Sequence, residues 1–145
     1  MKYLRYFFEY IFITFLFFLF KLIGYENSSN LGEKIGKFLG PFLRSKKKIR
    51  SNLENSNILK DTKKVESIIN KMWGNYGRIF AEYPYIKNFK NNDLKHYVKV
   101  KGTEILEDIK KNKKQVVFIS GHFNNFELMA MQIENYGIDV AALYR

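Results

Sequence analysis

The chain has no cysteine and only two histidines in its 145 residues. The first absence excludes disulfides, a thiolate nucleophile and any cysteine-ligated metal site. The second leaves His96 and His122, which show no metal-ligand spacing, so neither a metal nor a cofactor is expected. Acidic residues are scarce too: 14 Asp and Glu stand against 25 Lys and Arg, a formal charge of +11. Such a surface attracts anions, whether nucleic acid, acidic headgroups, phosphorylated substrates or an acidic protein. A compositional leaning towards Lys, Asn, Ile, Phe and Tyr explains part of the total but not its clustering. Five of the seven residues in RSKKKIR, Arg44 to Arg50, are basic and none is acidic. Nucleic acid fits worst, because the aromatic residues concentrate in the apolar amino terminus instead of interleaving with the basic ones.

What is abundant is aromatic and apolar. Residues 3–23 (YLRYFFEYIFITFLFFLFKLI) hold ten aromatic side chains. As a helix rising about 1.5 Å per residue they span about 31 Å, close to the roughly 30 Å of a bilayer core. Their uncharged stretch, Tyr10 to Phe20, is short for a membrane span, and Glu9 is a cost. Against this, Arg5 and Lys21 sit near the two ends, where basic side chains reach the headgroups, and Tyr3, Tyr6 and Tyr25 suit an interfacial belt. No A-x-A-like cleavage site follows, which argues against a removed signal peptide. Residues 1–24 are therefore read as an anchor helix, spanning or half-inserted, with a buried aromatic helix as the alternative. Basic residues crowd its carboxyl side, so the body, residues 25–145, is expected on the cytoplasmic side of the membrane against anionic lipid.

Gly32, Gly36 and Gly40 recur every four residues, on one side of a helix, where close approach of another helix or of lipid would compensate their low propensity. Pro41 then marks a break or kink. From Asp61 to about Tyr83, apolar residues recur at steps of three and four, predicting an amphipathic helix capped by Asp61 or Thr62, with Trp73 in the core. The last third changes rhythm. HYVKVKG (96–102) alternates like a strand, TEILEDIKKN (103–112) reads as a helix capped by Thr103, and QVVFIS (115–120) as a buried strand. Residues 125–136 read as a helix and IDVAALY (138–144) as another strand. The expected fold class is therefore α/β: an anchor helix, a helical segment, then the start of a mainly parallel sheet with covering helices. The final residues, AALYR, read as mid-strand, so the chain is expected to be the amino-terminal part of a longer domain.

His122 follows the most buried of these strands, where ligands bind in parallel sheets. Glu127 lies five residues on, a spacing that diverges by about 140° in one helix and converges only across a turn. Gly121 allows that turn, and Asn124 or Asn125 could cap the helix that follows. Glu127 could then orient the imidazole while its other nitrogen takes a proton from an alcohol, and the helix amino terminus would favour an oxyanion. From spacing alone a second reading stands beside this catalytic pair: a loop histidine, and a carboxylate serving the helix dipole.

VVFISGHFNNFELMA resembles the first motif of the lysophospholipid-acyltransferase-like superfamily, in particular its bacterial lipid A late-acyltransferase branch, which reads G-H-F-G-N-W-E after a strand. Gly121, His122, Phe123, Asn125 and Glu127 match, whereas Asn124 replaces the usual glycine and Phe126 the usual tryptophan. The likeness extends to the anchor, to Arg50, Asn52 and Leu53 of an R-x-N-L piece, to VKVKGTEILEDI, and to Tyr144 and Arg145 of a Y-R segment. The family's chains run to about twice this length. The resemblance implies His122 and Glu127 as catalytic residues and Arg145, Asn125 and Phe123 as substrate-binding ones. It implies acyl carrier protein as donor, a phosphorylated glycolipid (a lipid A precursor) as acceptor, and an inner-membrane location. Other glycolipid or lysophospholipid acceptors, and a non-catalytic membrane-attached module that binds anionic lipid, are the alternatives.

Overall fold

The computed structural model describes residues 2–55, 62–121 and 124–141. The chain forms two compact units, Met1–Tyr85 and Ile86–Arg145. The first contains α1 (Lys2–Ile23), α2 (Tyr25–Leu43), α3 (Lys46–Asn55) and α4 (Thr62–Glu82), followed by one 3-10 turn, Tyr83–Tyr85. The second contains α5 (Ile86–Lys90), a 3-10 turn at Lys95–Tyr97, α6 (Thr103–Lys111) and α7 (Glu127–Asn135).

In the first unit α2 and α4 pack face to face, and glycine is the reason they come so close. A methyl group added at Gly32 would strike the Gly77 carbonyl, at Gly36 the Trp73 carbonyl, and at Gly40 the Trp73 ring. The every-fourth-residue glycines thus let two backbones touch, which offsets their cost of about 1 kcal/mol each in helix propensity. Pro41 lies within α2, which runs on to Leu43 before Arg44 turns extended. Ile49 of α3 and Val65, Ile69 and Trp73 of α4 form the apolar core beside this contact.

Polar groups seal its other end. Arg78 donates to Ser29 Oγ at 2.8 Å and pairs with Glu33, which also accepts from Lys37. Ser29 in turn donates to Glu82 at 2.7 Å. The Lys37 hydrogen bond, with the Arg78 charge, holds the Glu33 carboxyl below its ordinary value against an opposing desolvation.

Only Phe20 of α1 is buried. Phe17 and Phe20 meet the ring of Phe80, at centroid separations of 5.3 and 6.3 Å. The Phe20 carbonyl, one of the last four that a helix leaves unbonded, accepts from Tyr85 Oη at 2.7 Å and lies 2.6 Å from Ser28 Oγ. Most of the rest of α1 is exposed and apolar, and the helix is long and apolar enough to cross a membrane. Glu9 is paired with Arg5 at 2.9 Å, one turn away. Gly24, at φ 80°, breaks the axis between α1 and α2.

In the second unit Phe89, Leu106, Ile109 and Ile133 are the buried apolar residues among those described, and α5 lies against α7, with Lys90 3.6 Å from Glu134. Both longer helices end on a left-handed residue, Lys113 (φ 46°) after α6 and Gly137 (φ 77°) after α7. In each case the amide beyond it returns to the helix: Lys114 to the Ile109 carbonyl at 3.0 Å and Ile138 to the Ile133 carbonyl at 3.4 Å.

The expected parallel sheet is not there: among the described residues there is no strand. Residues 114–121 are neither helix nor strand, and Val117 and Ile119 are 87% and 92% exposed. Residues 96–102 begin in the Lys95–Tyr97 turn and continue unpaired, and 138–141 are likewise irregular, with 142–144 outside the described residues. The α/β class is therefore corrected to all-helical over the described residues. An apolar run supplies a strand's side chains, but a strand exists only where a second segment meets its N–H and C=O groups. The cap expectations also change. Gly102, left-handed at φ 81°, precedes α6, and helical Phe126 precedes α7, each without a side-chain cap.

Candidate active site

The motif occupies the connection from residues 114–121 into α7. His122 and Phe123 lie outside the described residues, as does Arg145, so of the five expected site residues the structure places Asn125 and Glu127. Asn124 adopts φ 48°. This is the left-handed region that glycine enters freely and asparagine more readily than other side chains. The position where the resembled motif has glycine is thus held by a residue that enters this region more readily than most side chains.

After that turn the Asn125 and Phe126 carbonyls accept from the amides of Leu128 (3.2 Å) and Met129 (3.1 Å), starting α7. Glu127 is its first residue and half-buried, where the helix's partial positive charge favours a carboxylate. Asn125 is also half-buried, and its side-chain Nδ2 is enclosed with no hydrogen-bond partner among the described residues. Trp73 Nε1, in the first unit, is left in the same way. An enclosed amide donor without an acceptor costs about 1–3 kcal/mol.

Beside this turn the second unit holds an open groove of about 440 Å³. Its apolar lining comes from Val98, Val100, Ile105, Leu106, Phe118, Leu128, Met129 and Ile133, with Lys99 and Lys101 also lining it. The volume falls within the roughly 300–1,000 Å³ of small-ligand sites, and the mostly apolar wall suits a hydrocarbon chain. The groove was not read from the sequence, although Val98 and Val100 alternate and Leu128, Met129 and Ile133 recur at helical spacing. Two further cavities, of about 420 and 380 Å³, flank Trp73 in the first unit; the smaller is lined in part by Asn52 and Leu53 of the R-x-N-L piece. No three His, Asp or Glu side chains gather as metal ligands among the described residues.

The sequence profile described as bacterial lipid A biosynthesis acyltransferase matches residues 1–145, the whole chain. No curated protein and no solved structure matches it.

Proposed function

The chain belongs to the bacterial lipid A biosynthesis acyltransferase family, and on that premise we propose that it moves a fatty acyl group from acyl carrier protein to a hydroxyl of a lipid A precursor. The acceptor oxygen attacks the thioester carbonyl carbon as its proton passes to His122. The tetrahedral oxyanion collapses with cleavage of the C–S bond, and the imidazolium returns the proton to the departing thiolate. An ester and a free carrier thiol result. Glu127 orients the imidazole and stabilises its charged form. Asn125 Nδ2 donates to the oxyanion, Phe123 contacts the acyl group, and Arg145 binds an anionic or polar group of the substrate.

The observation that carries this reading is the turn itself: left-handed Asn124, an enclosed Asn125 amide with no partner among the described residues, and Glu127 opening α7, beside an apolar groove. The excess of basic residues suits an acidic carrier protein and a phosphorylated acceptor. The exposed apolar α1 supports an inner-membrane anchor with the body on the cytoplasmic face.

The test is acyl transfer by the purified protein in detergent, with acyl carrier protein thioester as donor and a lipid A precursor or a lysophospholipid as acceptor. His122→Ala is expected to lower the rate about 10²–10⁴-fold, and Asn125→Ala about 10²–10³-fold. Undiminished turnover by the His122 variant would sink the mechanism. A preference for the lysophospholipid would move the acceptor and leave the chemistry standing.

A further inference from the structure

One face of α2 has no partner among the described residues. Phe38, Phe42 and Leu43 are 72%, 80% and 78% exposed, and Leu31, Ile35 and Leu39 extend the same stripe towards the start of the helix. Steps of four, three and four residues from Leu31 to Phe42 keep it on one side. The glycine face turns instead to α4, and Glu33 and Lys37 lie between the two, paired with each other. Just past the stripe, Arg44, Lys47 and Lys48 are exposed and have no acidic partner among the described residues.

We propose that α2 lies in the plane of an anionic bilayer surface, its Leu31–Leu43 stripe sunk among the acyl chains and Arg44, Lys47 and Lys48 on the headgroups. A helix with a single apolar stripe, a polar flank and a basic end is built to lie in an interface, not to cross it. Gly24 breaks the axis that joins α2 to α1, so the second helix need not follow the first. A second copy of the chain fits less well. It would bring the same basic cluster, and Glu33, the acidic residue nearest the stripe, is already paired with Lys37 and Arg78. Phosphatidylglycerol-type headgroups supply the missing negative charge. The inference rests on α1 being the membrane anchor and does not depend on the acyl-transfer chemistry.

The absence of cysteine makes the test direct, because each introduced cysteine carries the only label. The full chain is reconstituted into phosphatidylethanolamine vesicles with or without phosphatidylglycerol, carrying an environment-sensitive fluorophore on Phe12→Cys, Phe38→Cys, Phe42→Cys or Asn30→Cys. The expected result is quenching of positions 38 and 42 by lipid-borne quenchers, quenching of position 30 by iodide, and protection of position 12 throughout. Reversing Arg44, Lys47 and Lys48 to Glu should shift positions 38 and 42 towards iodide quenching in the phosphatidylglycerol vesicles while leaving position 12 protected. Positions 38 and 42 as open to iodide as position 30, with position 12 protected, would overturn the proposal and keep the anchor. Loss of protection at position 12 as well would remove both. Label-to-label proximity across copies at positions 38 and 42, shielded from lipid quenchers, would assign the stripe to self-association instead.

Discussion

α2 and α4 pack against each other and are patterned in opposite ways. α4 turns Val65, Ile69 and Trp73 inward and carries lysine, serine and asparagine outside, with Ile68, Tyr76 and Phe80 as its exposed apolar side chains. α2 turns serine and glycine inward and leaves leucine and phenylalanine outside. Two helices that share an interface need not share a solvent. The buried side of α2 is shaped by how closely two backbones can approach, and its outer side by a medium less polar than water.

The comparison breaks most sharply at the glycines. A leucine at Gly36 would need space held by the Trp73 carbonyl and by the backbone of Gly77. Because backbone cannot rotate away, Gly36→Leu should cost about 3 kcal/mol or more, read as a loss of the helical circular-dichroism transition or a large fall in its urea midpoint. On the α4 side, Ile69→Val removes one methyl from a site 2% exposed, and should cost about 1 kcal/mol by the same measurement. A larger effect at Ile69 than at Gly36 would mean that the side-chain core, not the backbone contact, holds the pair.

Glu33 sharpens the comparison through pH. Its carboxyl titrates below the ordinary value of 4.5 because Lys37 and Arg78 hold the charged form. Its folded-state pKa is therefore depressed, so its contribution is complete above about 4.5 and is lost as the pH falls through the lower, folded value. The thermal midpoint of Glu33→Gln should sit slightly below wild type at neutral pH and converge with it in acid. A gap that persists unchanged in acid would mean that the ion pairs are not its source.

Much of the helical half was legible in the sequence. The three- and four-residue recurrence around Trp73 located α4 and its buried face, and the glycine spacing located the close contact, because both patterns are local consequences of 3.6 residues per turn. The sheet was not legible, because Val116 to Ile119 carry the composition of a buried strand while the pairing that makes one is a property of other segments. Caps failed for a related reason: Thr103 and Asn125 have the right side chains, but the backbone places Gly102 and Phe126 at the caps. At the candidate site, the spacing of His122 and Glu127 calls for a turn, expected at Gly121; the left-handed residue in the structure is Asn124, and His122 lies outside the described residues. The groove was hidden because its walls come from residues up to 35 positions apart.

The smallest expected effect separates the two faces of α2 most clearly. Phe42 is 80% exposed, so Phe42→Ser removes almost no buried contact. In detergent, its unfolding midpoint should stay within about 0.5 kcal/mol of wild type. In vesicles the same substitution removes an anchor from the stripe, and labels at neighbouring positions should report shallower insertion. Stability unchanged and depth reduced is the pattern of a face that serves the membrane. A destabilisation comparable to that of Ile69→Val would instead show that Phe42 belongs to the fold, and the inversion between α2 and α4 would lose its meaning.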